Sequence, residues 1–189
     1  MKYTGIAESA DMLAEILREN MVPGVVSDRE KIMLCNPADR GDCRVGIWLY
    51  DIRECDELRS HSMVTLDAVR QKYPPSFVNL MFMITAYAGG DLPYRAKEEQ
   101  CILGKILQVL KDHTTVEGTA QLPCSIELQN LSMEEKMRIF NVPQRGYQTS
   151  LFYEMGPIEI ESEKERQVTR VTEQQFRLRE QKGAKWRNR

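Results

Sequence analysis

Two stretches of the chain, VGIWLYDI from Val45 to Ile52 and FVNLMFMITAYA from Phe77 to Ala88, carry apolar side chains at nearly every position. A strand covered on one face alternates apolar and polar residues, whereas an unbroken apolar run needs cover on both faces. Both stretches are therefore read as neighbouring central strands of one sheet.

The rest of the pattern supplies the cover. From Thr4 to Met21 the residues Ile6, Ala10, Leu13, Ala14 and Leu17 fall on one stripe, which predicts an amphipathic helix ended by Val22-Pro23-Gly24. Lys31 to Cys35 is a short strand expected to pair with the central strand beginning near Arg44. A second helix is expected from about Tyr94 to Asp112, with Ile102, Leu103, Ile106, Leu107 and Leu110 inward and Lys97, Glu98, Lys105 and Lys111 outward. Cys124 to Leu128 reads as a short edge strand. Ser132 and Glu135 have the spacing of a capping box, so a short helix should follow from Met133 to Phe140, closed by Val142-Pro143. Gln148 to Ile160 returns to strand character, with Gly156-Pro157 marking a bulge or an edge. Strands and helices mixed in this way predict an α/β (α+β) layer: a central mixed or antiparallel sheet flanked by helices over residues 1–160.

Two segments stand apart. The polar connection from Arg53 to Pro75 is too long for a tight hairpin, and is either a pair of strands extending past the sheet as an arm or an irregular loop. Residues 161–189 are mostly polar, their apolar positions too sparse for a core, and form a C-terminal extension. Charge divides the same way. Residues 161–189 carry nine Lys or Arg against five Glu, so of the formal net charge of −2 the extension holds +4 and the body −6.

The small overall charge argues against a dedicated nucleic-acid or membrane binder. Five cysteines without a CxxC pair fit reduced thiols in a cytosolic protein. The N-terminus lacks the basic start and apolar run of a signal peptide, and no apolar run reaches membrane-spanning length, so a protein that stays inside the cell until something releases it is expected.

Candidate chemistry is sparse. The two histidines, His61 and His113, have no partner at metal-ligand spacing, and Gly89-Gly90 fits neither GxGxxG nor GxxxxGK and reads as a turn. Asp51, Glu54, Asp56 and Glu57 cluster after the first central strand, where pairing with Arg53 and Arg59, or with a neighbour's basic groups, is the expectation. Met81, Met83, Tyr87, Trp48 and Tyr50 are expected to share a sheet face, either as core beneath a helix or as a subunit interface. No catalytic residue, metal or cofactor is proposed, because nothing assembles a nucleophile, a base and an oxyanion site. The basic end, RLREQKGAKWRNR, suits either nucleic acid or an acidic protein surface.

Three ordered blocks carry a resemblance: WLYDIREC with Leu58-Arg59 following, YPPSFVNLMFMITAYAG, and ELQNLSMEEKMRIFNVPQRGYQTSLFYEMGPIEI. The doubled proline before the apolar strand, its TAYAG end, and an LSxEE helix leading into a YxxSLxY strand resemble the cap, or tail-terminator, proteins of extracellular contractile injection systems. The resemblance spans roughly Thr4 to Ile160 and implies a tail-terminator-like fold in a non-enzymatic structural protein. It further implies a homo-oligomeric, hexameric ring that contacts the last layers of inner tube and sheath proteins and stops their growth. Such a protein would be cytoplasmic during assembly and then part of the phage tail-like particle. Some members carry a further C-terminal domain where this chain has its basic extension. A ring of this kind needs surfaces that reach its neighbours. The expected partner-binding residues are Arg53, Glu54, Arg59 and His61 in the arm and Arg177, Arg179, Lys182, Lys185, Trp186 and Arg187 in the extension. The alternatives are a tail-completion or collar protein of a contractile phage or bacteriocin, and a nucleic-acid-binding module working through the basic end.

Overall fold

The structure is a computed structural model that describes residues 3–116, 122–141 and 146–168. The chain runs through helix α1 (Gly5–Met21), strands β1 (Ile32–Leu34), β2 (Val45–Glu54), β3 (Val64–Thr65), β4 (Arg70–Lys72) and β5 (Ser76–Ala86), helix α2 (Leu92–Asp112), strands β6 (Thr115–Val116) and β7 (Cys124–Leu128), helix α3 (Met133–Asn141), and strands β8 (Ser150–Ile160) and β9 (Glu165–Gln167). Six strands form the main sheet in the order β1-β2-β5-β8-β7-β6, and three form a smaller one in the order β3-β4-β9. Among the described residues only β1 and β2 pair in parallel; the other pairs are antiparallel. The expected mixed sheet with flanking helices is observed.

The two apolar stretches are neighbours, as expected, and β5 sits between β2 and β8. On one face α1 and α2 cover it: Leu13, Leu17, Ile102 and Ile106 pack with Val45, Ile47, Leu80, Phe82, Ile84, Tyr153 and Met155 in one buried cluster. Burying a side chain of this size contributes about 1.5–3 kcal/mol. On the other face Met83, Phe152 and Phe140 form a second cluster with Trp48, Tyr50, Leu131 and Ile139 against it. Of the expected aromatic and methionine face, Met83, Trp48 and Tyr50 thus belong to core beneath α3, while Met81 is buried apart from that cluster and Tyr87 lies under Arg40. That helix is held at its start by the expected capping box, Ser132 N–H donating to Glu135 Oε2 at 2.8 Å and Glu135 N–H to Ser132 Oγ at 3.3 Å.

Three details differ from the sequence reading. Strand β7 is not an edge, because β6 pairs along its outer side. On α2, Leu107 is 37% exposed while Val109 is buried, and Glu98 turns inward to an ion pair with Arg44. The apolar character of β2 fades along its length: Val45, Gly46 and Ile47 are buried, but Ile52, Arg53 and Glu54 are exposed because the strand runs out beyond the helices.

Two bulges adjust the ladder. Between Leu49 and Asp51 the register shifts, leaving Tyr50 without a partner on β5. Between β5 and β8, Leu80 pairs with Met155 and Val78 with Ile158, so Asn79 faces the two residues Gly156 and Pro157. This is the expected bulge, and it lets Met155 and Ile158 both reach the core. Glycine is required there. A Cβ on Gly156 would strike the Asn79 amide and lie 3.1 Å from its Cα.

Strand β5 follows β4 in sequence and β9 follows β8, so the central ladder continues outward into the small sheet. The junction is made by Ser76 paired with Ile160, by Tyr73 N–H donating to Lys164 O at 3.0 Å, and by Lys72 paired with Glu165. Lys164 Nζ lies 4.7 Å from the Tyr73 ring centre, and Lys72 Nζ is 2.6 Å from Glu161 Oε2. The connection from Arg53 to Pro75 is accordingly an arm containing the β3–β4 hairpin, to which the start of the extension adds a third strand.

Replacing Gly156 with Ala is expected to lower stability by about 1–3 kcal/mol through this collision, measured by urea denaturation. The Glu161 carboxyl is held down to about 2, with the Lys72 ammonium the largest of the causes. The pair therefore acts fully above the ordinary glutamate value of about 4.3 and is lost as pH falls from there toward the depressed value. The Tyr73 amide resonance should titrate across that acid window in the native chain and lose the transition in Glu161→Gln.

Candidate functional site

The residues with unexplained surface chemistry gather where β2 and β5 leave the body and around the small sheet. At the base of the arm, Arg53 Nε donates to Asp51 Oδ2 at 2.9 Å, and Arg59 lies 3.7 Å from Glu54 and 3.8 Å from Asp56. Asp51, Glu54 and Asp56 of the acidic cluster pair with Arg53 and Arg59, as expected, while Glu57 lines the neighbouring groove. The Asp51 carboxylate raises the Arg53 pKa. All four arm candidates, Arg53, Glu54, Arg59 and His61, are exposed. Glu54 and Arg59 pair with one another, while Arg53 pairs separately with Asp51. His61 lies further along the connection, before β3. Exposed pairs of this kind contribute only about 0–1 kcal/mol to stability.

Further out, the hairpin turn is built by Asp67, whose Oδ1 accepts from the Val69 and Arg70 amides at 2.9 and 2.8 Å while Oδ2 accepts from Arg70 Nε at 2.7 Å. Arg70 also approaches Glu165 of β9 at 3.7 Å. The backbone is thus well tied, yet the apolar side chains it carries are not covered: Val64, Leu66 and Val69 are 45%, 46% and 55% exposed. A small sheet with three short strands cannot bury them by itself. These residues escaped the sequence reading, although VTLDAVRQK has the signal of a hairpin: β-branched residues flanking an aspartate turn.

Beside the arm's base a groove of about 420 Å³ is lined by Cys55, Glu57, Asn79, Glu127, Glu154 and Pro157, among others. Glu127 and Glu154 stand directly opposite one another on β7 and β8, an arrangement of like charges that is unfavourable unless something positive is near. Amide groups give partial relief: Asn79 Nδ2 donates to Glu154 Oε1 at 2.6 Å and Gln129 Nε2 to Oε2 at 2.9 Å. No His/Cys/Asp/Glu group among the described residues has the arrangement to hold a metal ion. His113 is occupied locally, its Nδ1 lying 2.8 Å from Val109 O. Gly89-Gly90 forms a turn whose Gly90 amide donates to Glu98, the partner of Arg44. No helix among the described residues is long and apolar enough to cross a membrane. Arg177, Arg179, Lys182, Lys185, Trp186 and Arg187 lie outside the described residues.

What this surface offers is therefore contact chemistry: uncovered apolar side chains on a rigidly tied hairpin, a charged base, and an acidic groove. Comparison with known proteins gives it a setting. No curated protein matches the sequence. Among solved structures, the fold is similar to the sheath/tube terminator of the extracellular contractile injection system PVC in its extended state, with a TM-score of 0.66 and 17% identity over 96% of this chain and 64% of that one. It is also similar to the tube-terminating cap of the anti-feeding prophage, with a TM-score of 0.60 and 16% identity over 91% of this chain and 60% of that one. The chain thus spans less than two thirds of the length of either protein. At these identities the likeness establishes the fold, which is the one the sequence blocks led us to expect. The sequence itself matches the Pvc16 N-terminal domain over residues 10–174, nearly its whole length, and the chain belongs to that family.

Proposed function

We propose that this protein is a structural terminator of a contractile injection particle, assembling as a hexameric ring on the last layers of tube and sheath and stopping their growth. The observation that carries this reading is the family match over residues 10–174 joined to a fold shared with a sheath/tube terminator and a tube-terminating cap. The surface is of the right kind. A ring closes through a heterologous contact, in which one patch of each subunit meets a different patch of the next. Val64, Leu66 and Val69 supply an apolar patch, and Arg53, Glu54, Arg59 and His61 a polar rim beside it. The basic extension, with Arg177, Arg179, Lys182, Lys185 and Arg187 as charges and Trp186 as anchor, would dock on an acidic protein surface, and the Glu127–Glu154 groove has the matching sign. In this role the protein has no catalytic step. It would be made in the cytoplasm and remain in the released particle. In a contractile phage or bacteriocin the same body would serve as a tail-completion or collar protein. A nucleic-acid-binding module is the reading from a different class, and would show binding that weakens steeply with salt.

The deciding experiment co-expresses the chain with its tube and sheath proteins and images the product by electron microscopy. Sixfold rings seated on tube ends, with particles of uniform length, are expected. A monomer that ignores both proteins and binds DNA in a salt-sensitive way would replace this reading with the nucleic-acid one. Val69→Asp is expected to abolish ring seating while leaving the far-ultraviolet circular dichroism of the isolated chain unchanged, since that side chain is more than half exposed. Removal of residues 161–189 is expected to give uncapped tubes of variable length.

A further inference from the structure

Two of the cysteines are not scattered. Cys35 follows β1 and Cys43 precedes β2, and the parallel pairing of those strands brings their sulfurs to 4.0 Å. The approach is built from both sides. Cys35 N–H donates to Ile47 O at 3.0 Å, and Arg44 N–H donates to Lys31 O at 2.8 Å, so the backbone on each side of the pair is fixed to the sheet. Gly46 leaves the space in which the sulfurs lie: a Cβ there would stand 3.1 Å from Cys35 Sγ and 3.8 Å from Cys43 Sγ. The ring of Tyr87, with Arg40 stacked 4.6 Å above it, closes another side.

The two thiols are also unlike. Cys43 is buried and donates weakly to Lys31 O at 3.5 Å, whereas Cys35 is half-buried and open to a small reagent. The contact between the two sulfurs lowers the Cys35 pKa, while the same contact and burial raise that of Cys43. One sulfur is thus reachable and favoured as thiolate, and the other is held behind it as a protonated thiol. The remaining cysteines show no such division of roles. Cys124 is buried, with its thiol pushed up to about 11, and Cys101 is exposed on α2.

We propose that Cys35 and Cys43 form a reversible disulfide by exchange with a small-molecule disulfide of the glutathione type, locking the edge strand β1 to the start of β2. In the first step the Cys35 thiolate attacks one sulfur of the reagent, its S–S bond breaks, and one thiolate leaves. Cys43 then gives its proton to solvent and attacks Cys35 Sγ, and the second reagent thiolate leaves. The two leaving thiolates take up the protons given by the two cysteines, so the protein is oxidised by two electrons and one disulfide becomes two thiols. Closing the bond brings the sulfurs from 4.0 Å to the covalent distance of about 2.05 Å, and Cys43 gives up its contact with Lys31 O. The loop so closed holds the turn at Pro37–Asp39 and the Arg40 that stacks on Tyr87. A reducing cytosol keeps the pair open, and an oxidising surrounding closes it.

The test uses the full chain carrying Cys55→Ser and Cys101→Ser, treated with oxidised glutathione and then read by intact mass and peptide mapping. The expected product is lighter by two hydrogens, carries no glutathione, and links the Cys35 and Cys43 peptides. Its denaturation midpoint is higher than that of the reduced form. In a further Cys43→Ser variant, Cys35 should instead retain one glutathione. A stable glutathione adduct on Cys35 with Cys43 present, unchanged thiols at both positions, or a linkage to Cys124 would each overturn the proposal. Alkylation mapping of the unsubstituted chain under the same treatment reads the same linkage whether or not the serine variants fold.

Discussion

The pairing of β5 with β8 is the constraint on which the rest of the molecule depends. It runs from Thr85 opposite Ser150 to Ser76 opposite Ile160, and the chain continues from its outer end into both β4 and β9 of the small sheet. At one end it is buried on both faces, with Phe82 against α1 and α2 and Phe152 against α3. At the other end it leaves the helices behind and becomes the stem of the arm. Its bulge at Gly156-Pro157 lets a strand with a helix-facing end also reach outward without turning its apolar side chains into water.

Much of this was legible in the sequence because the signals were local. Periodicity placed α1 and α2, the capping box placed α3, and unbroken apolar runs placed the two central strands. The misreadings share a cause. Cys124 to Leu128 looks like an edge because its alternation is that of a strand with one covered face, and only the neighbouring β6, two residues long, removes that edge. Glu98 looks like a solvated charge until Arg44, far away in sequence, is brought beside it. Long-range partners decide such cases, and no short window contains them.

The candidate surface was harder still. Its charged base was visible as a cluster, because Asp51, Arg53, Glu54 and Arg59 are close in sequence. Its apolar part was not. Val64, Leu66 and Val69 are individually ordinary in a polar connection, and the hairpin that carries them is joined by β9, a strand nearly a hundred residues later whose composition suits a helical or disordered extension. The same is true of the cysteine pair: eight residues separate Cys35 from Cys43, a spacing without a motif, and the parallel turn of the chain makes them neighbours.

That late strand also sets an order of events. A growing chain can place α1, both central strands and α2 before β8 exists, but the small sheet has to wait, since its third strand follows β8 and pairs back across the whole body to residues 70–72. The apolar hairpin is therefore finished last. Until then β4 has no partner on its outer side. A chain still on the ribosome, or one cut short after the body, can have its core without the third strand of the small sheet, which leaves the hairpin's edge unpaired until the chain is whole.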